Sequence, residues 1–275
     1  MDADVSGFFD NLDWSHLRKF IQQRVRDGGI LRLIGKWLHA GVLEAGALMH
    51  PDKGTPQGGV ISPMLANVFL HHVLDEWFVK DVLPRMQGHC FLMRFADDFI
   101  IGCEREADAR RIMNVLPKRF TRFCLTIHPE KTALIAFKRP PSRHQSARGT
   151  GTFDFLGFTH YWAKTRQGYW VIKRKTVGKR LRRFMKESWT WCRENRHAPL
   201  HEQHRTLCAK LRGYYHYYGI RGNFKMLEVI FEHTERAWQY WLSRRSHKGH
   251  VNWQKFEGSL RQELALPKPR IMHNI

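Results

Sequence analysis

The spacing of apolar positions predicts a first half that mixes helices with short strands. Alternating small, acidic and apolar residues predict a strand over residues 2–8, and the polar run Asp10-Asn11-Leu12-Asp13 predicts a turn and a helix cap. Apolar side chains at helical spacing predict helices over 14–25, 30–39, 63–79 and 104–123. A hairpin is predicted over 42–49, and short strands over 134–137 and 153–158.

A second hairpin is predicted where two apolar runs flank an acidic pair, in Cys90-Phe-Leu-Met-Arg-Phe-Ala-Asp-Asp-Phe-Ile-Ile-Gly102. Residues 138–151 are rich in proline, serine, glycine and arginine, which indicates a loop. After a strand pair over 161–173, the pattern predicts helices over 177–189, 202–218, 224–244 and 253–264. We therefore expect an α+β fold whose second part is mainly helical.

The composition excludes several classes of protein. A hydrophobic content of 43% and an aromatic content of 13% exclude a chain disordered throughout. Because no apolar run reaches ~18 residues, no membrane-spanning helix is expected. The first twenty residues carry acidic side chains where a secretory signal has a basic start. Five widely spaced cysteines without a CxxC pair do not form a disulfide or zinc framework, so we expect a cytoplasmic protein with no membrane partner.

Charge is distributed unevenly along the chain. The formal net charge of +21 divides into +5 for residues 1–150 and +16 for residues 151–275. All seven tyrosines and seven of the ten tryptophans also follow residue 150. Cationic and aromatic side chains together favour binding to a phosphate backbone and to bases. A basic surface with no particular partner is the alternative interpretation.

Three carboxylates stand where packing alone would favour other residues: Asp4 within the opening strand, and Asp97 with Asp98 between two apolar strands. Strand ends of one sheet can bring such groups within a few Å, where they repel one another unless a cation lies between them. Magnesium prefers oxygen ligands, and a pair of ions stabilises the attacking and leaving oxygens of phosphoryl transfer. An ordinary solvated turn is the alternative for the Asp-Asp pair.

Five motifs in order resemble reverse transcriptases encoded by group II introns. They are Asp4-Val-Ser-Gly-Phe-Phe-Asp10, Gly54-Thr-Pro-Gln-Gly-Gly-Val-Ile-Ser-Pro-Met-Leu-Ala-Asn67, Arg94-Phe-Ala-Asp-Asp-Phe99, Pro129-Glu-Lys-Thr132 and Phe155-Leu-Gly-Phe158. Further on, Leu211-Arg-Gly-Tyr-Tyr-His-Tyr-Tyr-Gly219 resembles the thumb or maturase-specific region, and Leu266-Pro-Lys-Pro-Arg-Ile271 resembles a frequent ending of these proteins. The resemblance implies a reverse transcriptase palm, an antiparallel sheet with packed helices, over residues 1–160 and a mainly helical thumb or maturase domain over 161–275.

The resemblance implies an RNA-directed DNA polymerase with two Mg²⁺ ions held by Asp4, Asp97 and Asp98. It places Lys131 near the pyrophosphate of the incoming nucleotide, and Val5, Phe9, Gln57 and Gly58 against that nucleotide. Phe9 could instead be a core residue and Lys131 a surface lysine. Gln57 could instead contact the template or simply cap the loop. The implied partners are an RNA template, a primer–template duplex, deoxynucleoside triphosphates and group II intron RNA. The predicted RNA-binding residues are Lys173, Arg174, Lys175, Lys179, Arg180, Arg182, Arg183 and Arg212.

Relatives of this type carry a fingers region before the first aspartate, whereas here Met1 stands three residues before Asp4. The sequence alone therefore leaves two hypotheses. One is a polymerase, either active as it stands or completed by a separate chain that supplies fingers. The other is a non-catalytic RNA-binding maturase or splicing helper, or a remnant of such an enzyme.

Overall fold

The computed structural model describes residues 1–3, 5–39, 42–44, 47–49, 53–55, 59–130, 132–140, 150–246 and 251–274. The chain forms two compact units, Met1–Ala136 and Phe137–Ile275. Helices and small antiparallel sheets are both present, which confirms the expected α+β class. The functional domain boundary expected after residue 160 stays a prediction, whereas the compact units divide at residue 136.

The first unit contains helices between and around short strands. Its helices are α1 (Phe8–Asn11), α2 (Trp14–Gln22), α3 (Gly28–His39), α4 (Ser62–Leu70) and α5 (Glu106–Thr121). Helix α4 continues into π-helical turns, His71–Asp75 and Phe78–Val82, and a 3₁₀ turn, Leu83–Arg85. The strands are β1 (Asp2–Ala3), β2 (Val5–Ser6), β3 (Val42–Glu44), β4 (Ala47–Met49), β5 (Cys90–Phe95), β6 (Asp98–Cys103) and β7 (Thr126–Ile127).

Strands β1, β6 and β5 form one antiparallel sheet in that order, while β2 pairs with β7 and β3 with β4. The predicted hairpins over 42–49 and 90–102 are thus confirmed. The predicted opening strand over 2–8 is wrong in its extent. Gly7 adopts a left-handed φ of +53°, and α1 begins at the next residue.

One apolar core holds the first unit together. Phe69 of α4 and Phe120 of α5 are fully buried, as is Leu12. Phe99 of β6 stacks on Phe120 with 6.0 Å between the ring centroids. One face of the β1-β6-β5 sheet is therefore covered by α5 and contributes to the core.

The second unit begins with a three-stranded sheet and continues as helices. Its strands are β8 (Phe153–Phe155), β9 (Phe158–Lys164) and β10 (Trp170–Thr176), in the order β10-β9-β8. The helices are α6 (Gly178–Glu194), α7 (Leu200–Tyr218), α8 (Phe224–Leu242), α9 (Trp253–Lys255), a π-helical turn (Phe256–Leu260) and α10 (Arg261–Glu263). None of the helices in the described ranges is both long and apolar enough to span a bilayer.

Buried polar side chains join the elements of the second unit. The Trp238 indole of α8 donates to Gln203 Oε1 of α7 at 2.9 Å. Asn223 lies between sheet and helices, since its Oδ1 accepts from the Thr176 amide at 2.9 Å and its Nδ2 donates to the Tyr218 carbonyl at 2.9 Å. Because Asn223 is only 1% exposed, losing these bonds would leave buried polar groups unpaired.

The turn between β8 and β9 has the geometry of a tight hairpin. Leu156 and Gly157 form its two-residue loop, with φ of +50° and +77°. Positive φ at both loop positions suits the right-handed twist of paired strands. The Tyr217 hydroxyl donates to the Leu156 carbonyl at 3.0 Å, so helix α7 supports the turn.

The predicted strand over residues 134–137 is wrong, since these residues have no regular backbone pairing. Phe137 instead contacts Phe153 and Trp162 through its ring, with centroid distances of 5.0 and 5.5 Å. Ring packing rather than a β-ladder explains the apolar character of the segment.

Gly157 in the β8–β9 turn and Gly168 in the β9–β10 turn allow a test of the hairpin geometry. Gly157 and Gly168 both have positive φ, but a Cβ at Gly157 would lie 3.0 Å from the Tyr218 hydroxyl, whereas at Gly168 no atom lies within 4 Å. We expect Gly168→Ala to lower the free energy of unfolding by about 1 kcal/mol through backbone strain alone. Gly157→Ala should lower it by about 2 kcal/mol, because the crowding adds to the strain. Chemical denaturation measures both variants, and equal losses would contradict the described contact.

Candidate active site

The Asp97-Asp98 pair lies at the turn of the β5–β6 hairpin. Phe95 pairs with Asp98, which leaves Ala96 and Asp97 as a two-residue loop. Ala96 has a φ of +54°, and tight hairpins require a positive φ at their first loop position. Asp97 is half-buried at the tip, and Asp98 is exposed as the first residue of β6.

Side-chain alternation along β6 separates the apolar core from the acidic side chain. Phe99 and Ile101 are each 1% exposed and face the core. Asp98 precedes Phe99 directly, so its side chain lies on the opposite face of the sheet. Phe95 and Met93 of β5 share that face and are 65% and 51% exposed. The carboxylate therefore stands on an open sheet face.

Arg94 holds the acidic turn in place. Its guanidinium makes a two-point contact with the Asp75 carboxylate, Nε to Oδ1 at 2.8 Å and Nη2 to Oδ2 at 2.6 Å. Its Nη1 also donates to the Ala96 carbonyl at 2.8 Å, within the hairpin loop. A planar guanidinium can make all three bonds at once, which a lysine cannot. The left-handed Ala96 is thus supported from outside the hairpin.

Strand β1 runs beside β6 and brings the start of the chain to the same sheet. Ala3 pairs with Phe99 and Asp2 with Ile100, and the Met1 ammonium donates to the Ile101 carbonyl at 2.8 Å. The predicted site residue Asp4 lies outside the described residues. Its neighbour in sequence, Ala3, pairs with the residue that follows Asp98.

The start of the glycine-rich motif packs against α1. The Thr55 amide donates to the Phe9 carbonyl at 2.7 Å, and the Gly54 amide donates to the Leu12 carbonyl at 2.8 Å. Gly54 has a φ of +86°, and a Cβ there would lie 2.6 Å from the Phe9 carbonyl oxygen. Only glycine fits this approach. Gln57 and Gly58, the predicted nucleotide contacts of the motif, lie outside the described residues.

The structure distinguishes the predicted nucleotide contacts Val5 and Phe9. Val5 is 5% exposed and belongs to the core, so only its backbone could contact a nucleotide. Phe9 is half-buried at the margin of the core, whereas its neighbour Phe8 is 3% exposed and takes the core position. The two rings meet edge to face at 5.4 Å.

Lys131 lies outside the described residues. Strand β7, which precedes it, pairs with Val5 and Ser6 of β2. After this strand, the Thr132 hydroxyl donates to the His128 carbonyl at 2.8 Å. The described neighbours of Lys131 therefore follow a strand that pairs directly with the residues after Asp4.

The predicted RNA-binding residues lie on three elements of the second unit: β10, α6 and α7. Lys173 and Arg174 are half-buried, while the other six are exposed: Lys175, Lys179, Arg180, Arg182, Arg183 and Arg212. Lys175 Nζ lies 5.1 Å from the centre of the Tyr161 ring. Arg183 forms an ion pair with Glu187 at 2.7 Å, and this partner raises the pKa of Arg183. Arg183 is therefore partly neutralised, unlike an unpaired cation.

Arg94 and Asp75 are not among the predicted site residues. They are 19 positions apart, and no local pattern links them. The sequence offered one signal for this pair. Arg94 is a charged residue at an inward position of an otherwise apolar strand, and a charge in such a position requires a partner.

Comparison with known proteins identifies a family that matches the first part of the chain. A family model described as reverse transcriptase (RNA-dependent DNA polymerase) matches residues 1–160, which is more than half of the chain.

Several curated proteins match parts of the chain. The group II intron-encoded protein LtrA of Lactococcus lactis subsp. cremoris is 41% identical over 80 residues, covering 29% of this chain and 13% of LtrA. Protein YkfC of Escherichia coli strain K12 is 26% identical over 139 residues, covering 40% of this chain and 36% of YkfC. The putative COX1/OXI3 intron 1 protein of Saccharomyces cerevisiae is 25% identical over 191 residues, covering 52% of this chain and 23% of that protein. The chain thus spans well under two thirds of each relative.

Among solved structures, an apo telomerase from Candida tropicalis truncated from the C-terminal domain matches with a TM-score of 0.46 and 16% identity. The match covers 58% of this chain and 33% of the telomerase chain.

The Arg94 contacts predict a specific effect on the turn. The Arg94 and Asp75 side chains are 13% and 28% exposed, so the pair is largely shielded from water. We expect Arg94→Lys to lower the free energy of unfolding by about 1–2 kcal/mol and to speed amide exchange at Asp97 and Asp98. Arg110→Lys is the matched control, because the Arg110–Glu106 pair is 66% and 60% exposed. The control should change stability by less than about 0.5 kcal/mol. Similar exchange rates in both variants would refute the role given to Arg94.

Proposed function

Because this chain belongs to the reverse transcriptase family, we propose that it is an RNA-directed DNA polymerase of the group II intron type. In this proposal Asp4, Asp97 and Asp98 form its catalytic centre. The observation that carries the proposal is the pairing of Ala3 with Phe99. It brings the residue before Asp4 beside the strand that starts at Asp98.

The acidic turn suits magnesium. Asp97 and Asp98 are adjacent oxygen donors, one half-buried and one exposed, and magnesium commonly binds through one or two carboxylates while keeping several waters. Within the described residues, no cluster of three or more potential metal ligands occurs. The proposed third carboxylate, Asp4, comes from outside that set. Two bound magnesium ions would supply charge stabilisation for the attacking and leaving oxygens.

The reaction is the transfer of a nucleotidyl group to a primer. The primer 3′-hydroxyl gives up its proton to solvent and its oxygen forms a bond to the α-phosphorus of a deoxynucleoside triphosphate. The bond from that phosphorus to the bridging oxygen breaks, and pyrophosphate leaves. Such a transfer needs positioning and charge more than covalent chemistry from the protein. Arg94 positions the acidic turn through Ala96. We assign Lys131 to the pyrophosphate, where an ammonium can donate a proton.

The nucleotide would lie between α1 and the glycine-rich motif. Phe9 is the proposed platform for the sugar, and a bulky ring there disfavours a 2′-hydroxyl. Because Phe9 is half-buried, part of its ring can contact a nucleotide, whereas the Phe8 ring is buried in the core. The Val5 backbone, Gln57 and Gly58 complete the proposed contacts. The hydrogen bond from the Thr55 amide to the Phe9 carbonyl supports this arrangement by joining the start of the motif to α1.

RNA binding by the second unit is the second part of the proposal. Six exposed cations of the predicted set would contact phosphates of a template, a primer–template duplex or intron RNA: Lys175, Lys179, Arg180, Arg182, Arg183 and Arg212. The net charge of +16 after residue 150 supports this role independently of the carboxylates. A non-catalytic maturase would bind RNA in this way but would not polymerise DNA.

Primer extension separates the two functions. With an RNA template, deoxynucleotides and magnesium, Asp97→Ala should lower the extension rate at least about 100-fold, because one electrostatic catalytic contact contributes that much. Asp81→Ala is the matched control, since Asp81 is an exposed carboxylate that pairs with Arg85. RNA affinity should persist in both variants.

Two outcomes would contradict the proposal. If the parent chain gives no magnesium-dependent extension but binds RNA, the proposal of polymerase activity is wrong, and the proposal of RNA binding is retained. If Asp97→Ala extends primers as fast as the Asp81→Ala control, the acidic turn is not the catalytic centre.

A further inference from the structure

An open cavity of about 580 Å³ lies on the second unit, between helix α7 and the end of the chain. We call residues 265–273 the C-terminal strap. The cavity is lined by residues of α7 and of the strap: Arg212, Gly213, His216, Tyr217 and His273. Of these, only Arg212 is among the predicted RNA-binding residues.

The strap is fixed to α7 at both ends. His204 Nε2 donates to the Ala265 carbonyl at 3.0 Å, and Leu266 is 5% exposed in the core. At the other end, the Met272 and His273 amides donate to the Gly219 carbonyl at 2.6 and 3.0 Å. A Cβ at Gly219 would lie 2.2 Å from the Tyr215 carbonyl oxygen, so this close approach requires glycine. His273, the strap residue that lines the cavity, is therefore held in place by these contacts.

The two histidines are held in a defined arrangement. Their ring centroids are 5.4 Å apart, and His273 Nε2 lies 2.7 Å from the His216 carbonyl oxygen. Because a carbonyl can only accept, Nε2 carries the hydrogen of that bond. The bond fixes the ring and leaves Nδ1 outside it.

The remaining lining residues supply a cation and a flat ring. Arg212 is exposed, and its guanidinium can bind a phosphate through two parallel hydrogen bonds. The Tyr217 ring is 53% exposed, and it is held from one side by Phe158 at 6.0 Å and 10° between ring planes. Lys268 and Arg270 of the strap are exposed cations of the same unit but do not line the cavity.

Gly213 forms an open part of the cavity. It lies inside helix α7, and apart from its chain neighbours and the adjacent backbone of the helix, no described atom falls within 4 Å of the position that its Cβ would take. Glycine inside a helix is less favourable than alanine by about 1 kcal/mol. Neither positive φ nor internal packing accounts for it, since it is not among the glycines with positive φ. Its effect is to leave the backbone next to Arg212 accessible in the cavity.

We infer that this cavity binds a ribose–phosphate segment of RNA, with Arg212 on a phosphate, His216 and His273 as polar contacts, and Tyr217 against a sugar or base. The inference deepens the RNA-binding part of the proposed function and rests on it. Cationic and aromatic lining without a carboxylate, on a unit with a large positive charge, favours a polyanion that also carries flat groups. The strap would thus be part of the binding surface.

The test uses the full chain and a fluorescently labelled single-stranded RNA of about 20 nucleotides, with affinity measured by anisotropy across a salt series. Arg212→Ala should weaken binding about five- to tenfold and reduce the salt slope by about 0.7, as expected for one lost phosphate contact. Arg205→Ala, an exposed arginine of the same helix that does not line the cavity, is the matched control. It should weaken binding less than about twofold and leave the slope unchanged.

Gly213→Leu tests the cavity without removing a charge. Leucine favours helix, so the variant should keep or raise the melting temperature. Its side chain would occupy the space beside Arg212, and we expect RNA affinity to fall about tenfold or more. Parent-like affinity in both Gly213→Leu and Arg212→Ala would overturn the inference. So would competition by polyglutamate as effective as that by unlabelled RNA, because the site would then recognise charge alone.

The result is separable from the polymerase proposal. Anisotropy does not depend on Asp97, so a failure of primer extension leaves this readout intact. Conversely, normal RNA binding by both cavity variants would remove the cavity site while leaving the acidic turn untouched.

Discussion

The alternation of side chains along strand β6 is the constraint on which the first unit depends. Phe99 and Ile101 must face the core, where Phe99 stacks on Phe120 of α5. Asp98 is then obliged to face the other way, because neighbouring residues of a strand point to opposite faces. A shift of one residue in the β5–β6 pairing would bury the carboxylate and expose the phenylalanine. The register that builds the core therefore also delivers the acidic side chain to the open face.

Arg94 extends this constraint to the loop. It lies on β5, pairs with Phe99 across the hairpin, and bonds both Asp75 and the Ala96 carbonyl. The strained left-handed residue at the turn is thus held by a largely shielded ion pair rather than by the loop itself. In the second unit, Asn223 and the C-terminal strap have comparable roles. They fix β10 and the end of the chain to helix α7 through buried or backbone hydrogen bonds.

Local patterns predicted much of this architecture. The hairpin at Asp97-Asp98 followed from apolar runs around a polar turn, and the helices followed from periodicity, with ends shifted by a few residues. The predicted strand over 134–137 was wrong because the apolar side chain of Phe137 packs against the Trp162 ring and its backbone does not pair with a strand. The predicted opening strand was too long because the pattern of apolar and polar residues does not indicate the left-handed backbone conformation of Gly7.

The site was less accessible to prediction from local sequence. The acidic residues and the motif order pointed to it, but the Arg94–Asp75 pair and the His273–His216 bond join residues 19 and 57 positions apart. Only the folded chain brings such partners together. The roles of Asp4, Gln57, Gly58 and Lys131 stay predictions, since these residues lie outside the described part of the chain.

The convergence of Asp4 with Asp97 and Asp98 on shared divalent ions is the central claim, and iron-directed cleavage measures it. Fe²⁺ substituted for magnesium, with ascorbate and peroxide, generates hydroxyl radicals that cut backbone near the bound ion, and mass spectrometry locates the cuts. We expect paired cuts around residue 4 and around residues 97–98, both suppressed by excess Mg²⁺ and both lost in Asp97→Ala. Cuts around residues 97–98 without cuts around residue 4 would contradict it.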